Sequence, residues 1–307
     1  MSTKVIYNGV DITKDITVQS CIMTDSNGGK QDYCKISFAN GGKVWQEWKT
    51  QYNDELRIIN GYSDSGIMYI NGIGSNENAY TLILLPTPTT TKKKKNRIWR
   101  DVQLSEIIRD VSNSLGFKVE FYGFKDYTYS SKAQINQTDL AFMCEACACE
   151  GLNVKIFDKK IIIYDEKALY LAEASGTITP DECSFYSFDD ENIPLSAVTV
   201  KYFDVAKRQV ISYAAKADGV YGGSITLPIK VDNQAQAERF AKNYLHKNNN
   251  FIDCGTLKLK NGDVFASGSV INLKDFAGQS GKWYINESVF DTTNNDCIFK
   301  INKIRGY

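Results

Sequence analysis

The sequence predicts a β-rich α+β protein: two β-barrels separated by a small α+β module. Three observations carry this. Short β-branched and aromatic runs bounded by turn residues fill both ends of the chain. Apolar residues at helical spacing appear in the middle. A seven-residue pattern near residue 65 returns near residue 280.

The first barrel is assigned to residues 1–91. Val5-Ile6-Tyr7 and Ile16-Thr17-Val18 are β-branched runs, and Cys34 to Phe38 alternates. Ser26-Asn27-Gly28-Gly29 supplies turn chemistry. Leu56 to Ile59, Met68 to Ile70 and Tyr80 to Leu85 read as further strands, with turns at Asp64-Ser65-Gly66 and Asn71-Gly72. Pro86 to Thr91 and Lys92 to Lys95 then break the pattern, because proline blocks ladder hydrogen bonds and adjacent ammonium groups repel. This stretch reads as a solvated connector.

The α+β module is assigned to 97–176. Leu104, Ile107, Ile108, Val111 and Leu115 lie on one helical face, with Asp101 as N-cap and Gly116 as stop. Phe117, Val119 and Phe121 alternate afterwards. The unit recurs as a helix over Thr138–Glu150, stopped by Gly151 and followed by Leu152, Val154 and Ile156. Asp158-Lys159-Lys160 turns the chain into Ile161 to Tyr164.

The second barrel is assigned to 177–307. Ala197 to Phe203 and Gln209 to Tyr213 read as a hairpin. A helix near 233–248 interrupts the strands, with Asp232 or Asn233 as cap and Ala237, Phe240, Ala241, Tyr244 and Leu245 as its stripe. Leu257 to Leu259, Val270 to Leu273, Trp283 to Ile285 and Cys297 to Ile301 complete the β pattern. Ser65-Gly66-Ile67-Met68-Tyr69-Ile70-Asn71 and Ser280-Gly281-Lys282-Trp283-Tyr284-Ile285-Asn286 match at five of seven positions, 215 residues apart. Each follows one apolar strand and precedes another. This predicts two copies of one β unit.

Composition excludes several classes. In 307 residues, 36 Lys+Arg balance 36 Asp+Glu, unlike domains that bind nucleic acid through bulk positive charge. No apolar run approaches the ~20 residues of a membrane helix. Met1-Ser2-Thr3-Lys4 lacks the layout of a secretory signal, so folding in a cytoplasm and reduced thiols are expected for the eight cysteines. His246 is the one histidine. It sits in the last helical turn, where a cation complements the dipole. Cys144, Cys147 and Cys149 contain a CxxC pattern, but Leu140, Cys144 and Cys147 continue a helical apolar face, a structural reading with no metal assigned. Asp165-Glu166, Asp181-Glu182 and Asp189-Asp190-Glu191 are carboxylate clusters in which nothing separates the pKa values as acid–base catalysis requires. The nucleotide, zinc-protease and esterase signatures GxxxxGK[ST], GxGxxG, HExxH and GxSxG do not occur. No catalytic, metal or cofactor residue is assigned.

Gln137-Thr138-Asp139-Leu140-Ala141-Phe142-Met143, then Glu150-Gly151-Leu152-Asn153-Val154-Lys155-Ile156, then Ile161 to Asp165 resemble the late control protein D family. These are baseplate hub proteins of contractile phage tails and phage-tail-like bacteriocins, similar to the hub portion of type VI secretion spike proteins. Gly268 to Ile285 and Tyr7-Asn8-Gly9-Val10-Asp11-Ile12-Thr13 resemble the family's closing and opening strands. The cysteine-rich helix departs from it, since the family more often has Leu, Arg and Ala there. The resemblance implies tail-tube-like barrels and a homotrimer offering six similar faces to a sixfold tail tube and a threefold face to a central spike. It also implies contacts with a tube or tube-initiator protein and other baseplate proteins, in a virion or phage-tail-like particle assembled in the host cytoplasm. Neither membrane insertion nor sequence-specific nucleic-acid binding is implied. With no appended lysozyme, peptidase or spike domain in the sequence, no enzymatic role is expected. The alternatives are a tail-associated cell-wall hydrolase, with Asp189, Asp190 or His246 as the residues to test, and a β-rich glycan-binding adhesin.

Overall fold

The computed structural model describes residues 3–304 apart from 41–44, 46, 47, 62, 190–192, 251, 261–263 and 295. Strand outweighs helix, 50% against 18%, which bears out the β-rich class. Ten strands organise the fold. β1 (Val18–Ser26), β2 (Tyr33–Ala39), β3 (Glu55–Asn60), β4 (Met68–Ser75) and β5 (Ala79–Leu85) come from the first third. β6 (Cys183–Asp189), β7 (Cys254–Leu259), β8 (Val270–Leu273), β9 (Gly281–Asp291) and β10 (Asp296–Lys303) come from the last.

The first five pair in the order β1-β2-β5-β4-β3 and the second five in the order β6-β7-β10-β9-β8. The strand order is therefore duplicated, position for position. So are two irregularities. In the β4–β5 ladder Asn71 is the extra residue, and in the β9–β10 ladder it is Asn286. In β1–β2 the extra residue is Gln19, and in β6–β7 it is Ser184. One row runs Ile73–Leu82–Ile36–Cys21 through the first copy, and its counterpart runs Ser288–Phe299–Leu257–Tyr186 through the second. Both repeat asparagines are thus β-bulges, which bend a strand and change what its edge can meet. Asn71-Gly72 lies within β4 and is not the expected turn: asparagine followed by glycine suits a bulge as well as a hairpin. The repeat glycines lie at positive φ, 59° at Gly66 two residues before β4 and 127° at Gly281 at the start of β9, where other side chains are strained.

No barrel closes among the described residues. β1 pairs with β9 instead of returning to β3, and β3 continues into Lys4–Tyr7 and Val10–Asp11. The expected pair of barrels is thus one open fourteen-stranded sheet. Alternation gives it a single apolar face: β2, β3 and β5 bury every second residue. That face forms one core running from Val5, Ile36, Ile58 and Leu82 to Leu257, Ile285 and Phe299.

A second core holds the helices. α1 (Leu104–Leu115) buries Leu104, Ile107, Ile108 and Val111, as its periodicity predicts. Its cap is Gln103, whose amide donates to Glu106 (2.7 Å). Asp101, the expected cap, lies at φ 44° in the strand Lys94–Gln103. Gly116 ends the helix at φ 69°. α2 (Asp139–Cys149) is capped by Thr138, and α4 (Gln234–Asn249) by Asn233. Between them lies the short α3 (Glu166–Tyr170). Lys94 and Lys95, expected in a solvated connector, begin the strand that pairs with Thr128–Thr138. The segment 195–249, expected inside the second barrel, packs into this helical core through Val198, Val200, Ile211, Ala237, Phe240 and Leu245. Apolar burial in this shared core, with α4 against α2, decides its place. No helix among the described residues is long and apolar enough to cross a membrane.

Candidate assembly interface

The two copies meet on one strand. Gly281–Tyr284 of β9 pairs with β8, and Glu287–Asp291 pairs with Ile22–Ser26 of β1. The change of neighbour falls at the Asn286 bulge. Backbone hydrogen bonds thus join the copies into one sheet.

The α+β module seals this seam with charge. Lys155, on the strand Leu152–Phe157, donates to Asp25, to Asp32 (3.2 Å) and to the carbonyl of Ser26 (3.0 Å). Asp25 also accepts from the Ser267 amide (2.8 Å), and Asp32 from the Ser26 amide (2.9 Å). Burial pushes the Asp32 carboxyl up to about 6 despite Lys155 beside it. Burial alone would lower Lys155, but Asp25 and Asp32 outweigh it and the ammonium is held above its ordinary value.

A polar network lies beside the ions. Buried Asn27 donates to Tyr284 and to Glu166 (3.3 Å) and accepts from Tyr164. Tyr170 meets Tyr284 edge-to-face at 5.1 Å and accepts from Asn250 (2.7 Å). The two tyrosines come from different modules, and the second is the repeat's own Tyr284. Asp158 accepts from the Ile67 amide (3.1 Å), docking the module on the other repeat as well.

The expected candidates scatter. Cys147 is buried in α2, and burial pushes the Cys144 thiol up to about 11 and that of Cys149 above its ordinary range. Among the described residues no group of three or more His, Cys, Asp or Glu side chains is placed to hold a metal. His246 is half-buried against Tyr170, with its ring 3.3 Å from Asn250 Nδ2. Desolvation, with help from Lys167, pulls it down to about 4. It is therefore neutral at pH 7, which corrects its reading as a cation serving the helix dipole. Asp165 caps α3, and Glu182 accepts from the Thr179 amide and hydroxyl, which hold it low. Glu166 is raised by burial. Asp189 ends β6 at the surface, while Asp190 and Glu191 lie outside the described residues. A cleft of about 400 Å³ opens at the seam, bordered by Met68, Phe157, Phe265 and Phe290. Its charged groups are engaged with one another: Asp25 and Asp32 with Lys155, Asp64 with Arg57.

No protein-family model and no curated protein matches the chain by sequence. Solved structures do match it in shape. A 43 kDa tail protein of prophage MuSo2 from Shewanella oneidensis aligns with a TM-score of 0.72 at 11% identity, covering 99% of this chain and 98% of that one. A tail protein from Neisseria meningitidis MC58 aligns at 0.75 and 10% identity, covering 98% and 96%. The chain has the fold of phage tail proteins. A component of the E. coli type VI secretion system, described as structurally similar to T4 bacteriophage tail proteins gp27 and gp5, shares it at 0.62 and 11% identity, covering 95% and 76%. The seam between the copies is the part of this tail fold that sequence reading missed. Lys155 and Asp25 are 130 residues apart, and only the repeat hinted that these regions meet.

Proposed function

We propose that the chain is the structural hub of a contractile tail baseplate. In this reading three chains form a ring. Each supplies two similar β units, from 1–91 and from 177–307 without its 195–249 segment, and the 97–176 module distinguishes one face from the other. Six units match a sixfold tail tube or its initiator protein, while three chains match a threefold central spike. Other baseplate proteins contact the periphery, and the site of action is the baseplate of a virion or phage-tail-like particle assembled in the host cytoplasm. The role is one of scaffolding and not of catalysis. The observation that supports it is the duplicated strand order with bulges at equivalent places, since symmetry adaptation requires two like units on one chain. Averaged images of tail ends carrying a tagged chain test it. Three copies at the joint of tube and spike are expected; two or four copies, or a location away from that joint, overturn it.

A further inference from the structure

The duplication leaves one junction made and one unmade. Within the chain β9 meets β1, in the register Phe290–Met23 and Val289–Thr24. Their counterparts are β4 and β6, and both present bare edges. Gly72 to Ser75 pairs with β5 on one side and with no strand among the described residues on the other. β6 pairs with β7 and ends the sheet. We infer that β4 of one copy of this chain pairs antiparallel with β6 of a second copy, repeating the β9–β1 junction between molecules.

The register follows from the bulges. Asn286 answers Asn71, and Ser184 answers Gln19. Val289–Thr24 then becomes Gly74–Asp189, and Phe290–Met23 becomes Ser75–Phe188. The Thr292 amide donates to the Cys21 carbonyl within the chain (2.9 Å). Its counterpart is the Glu77 amide of one copy on the Tyr186 carbonyl of the next.

Two further observations favour a docking edge. Exposed edges are ordinarily guarded by lysine, proline or inward charge. Gly72-Ile73-Gly74-Ser75 and Ser184-Phe185-Tyr186-Ser187-Phe188 carry none of these. Gly74 has open space where a Cβ would be, so another backbone can approach closely. On β6, Phe185 and Tyr186 are 53% and 47% exposed, whereas Cys21, the counterpart of Tyr186 beneath β9, is fully buried. The junction is head-to-tail, so it generates a ring or an open filament according to its rotation.

This inference rests on the hub reading for the number of copies but not for the strand pairing. The test is disulfide trapping in the full chain, with Gly74→Cys and Asp189→Cys together. Gly74→Cys with Ser184→Cys serves as an out-of-register pair, and Val289→Cys with Thr24→Cys as the within-chain reference. Mild oxidation is followed by mass measurement under denaturing conditions. Covalent chains from the first pair, at least tenfold over the out-of-register pair, support the pairing; a series ending at three chains agrees with the hub reading. Covalent chains running beyond three keep the pairing and overturn the threefold ring. A non-covalent trimer with no trapping at 74/189, while the reference pair closes, overturns the pairing and leaves the ring. A chain that remains monomeric at millimolar concentration without trapping also overturns the pairing.

Discussion

The two five-strand copies share strand order, bulge positions and register, yet their first strands live in different surroundings. Cys21 on β1 is sealed beneath β9, whereas Tyr186, its counterpart on β6, stands half exposed at the end of the sheet. Identical topology therefore does not fix burial; the neighbouring strand does. The connections differ too. β1 turns into β2 through Asn27 and Gly28, while β6 reaches β7 only after the 195–249 segment has packed into the helical core. Duplication kept the sheet and spent its freedom on loops.

The sharpest way to break this comparison is to truncate equivalent core positions. Ile70→Ala and Ile285→Ala each remove a fully buried side chain next to the bulge and are expected to cost about 4 kcal/mol. Urea midpoints should fall together; a cost several-fold larger in one copy would deny their equivalence. Lys155→Met tests the seam instead. Leaving Asp25 and Asp32 without their cation should cost about 3 kcal/mol at pH 7.5. The loss should shrink toward pH 5, because Asp32 then takes up a proton. A loss independent of pH would remove the carboxyl from the account.

His246 supplies an acid-sensitive effect. Its folded pKa, about 4, lies below the unfolded ~6.5. The folded state thus binds fewer protons between those values, and stability falls as pH drops through that window. Asp32 acts in the opposite sense: its raised pKa makes the folded state hold more protons between ~3.9 and about 6, so its own contribution grows on acidification. His246→Gln should recover about 2 kcal/mol of the acid loss, discounted for partial exposure, read as a smaller drop in Tm between pH 7 and 4.5. An unchanged drop would place the acid sensitivity elsewhere. The smallest effect belongs to Tyr186→Ala, expected to change the stability of the single chain by under about 1 kcal/mol, because the side chain is half exposed. A larger change in the urea midpoint would mean that β6 is more deeply packed than its counterpart comparison allows.

Local signals were legible in the sequence: the α1 face, the Gly116 stop and the alternation of β2 and β5 each depend on residues close together. The repeat was legible too, although its first asparagine, Asn71, read as part of a turn. What could not be read depended on distant partners. Lys94–Gln103 is a charged stretch, KKNRIWRDVQ, that becomes a strand because Thr128–Thr138 pairs with it and Arg97 stacks on Trp99 at 4.1 Å. The placement of 195–249 in the helical core beside α2 and the contact of Lys155 with Asp25 likewise need the whole tertiary arrangement. Burial, invisible in a one-letter string, neutralised His246.

The handover at Asn286 has a mechanical consequence. Because β9 serves both copies, tension between them runs along the main chain and the five paired residues from Glu287 to Asp291, in parallel with the shared core and the Lys155 ion pairs. A body joined in this way passes a push or a twist from one half to the other with little give.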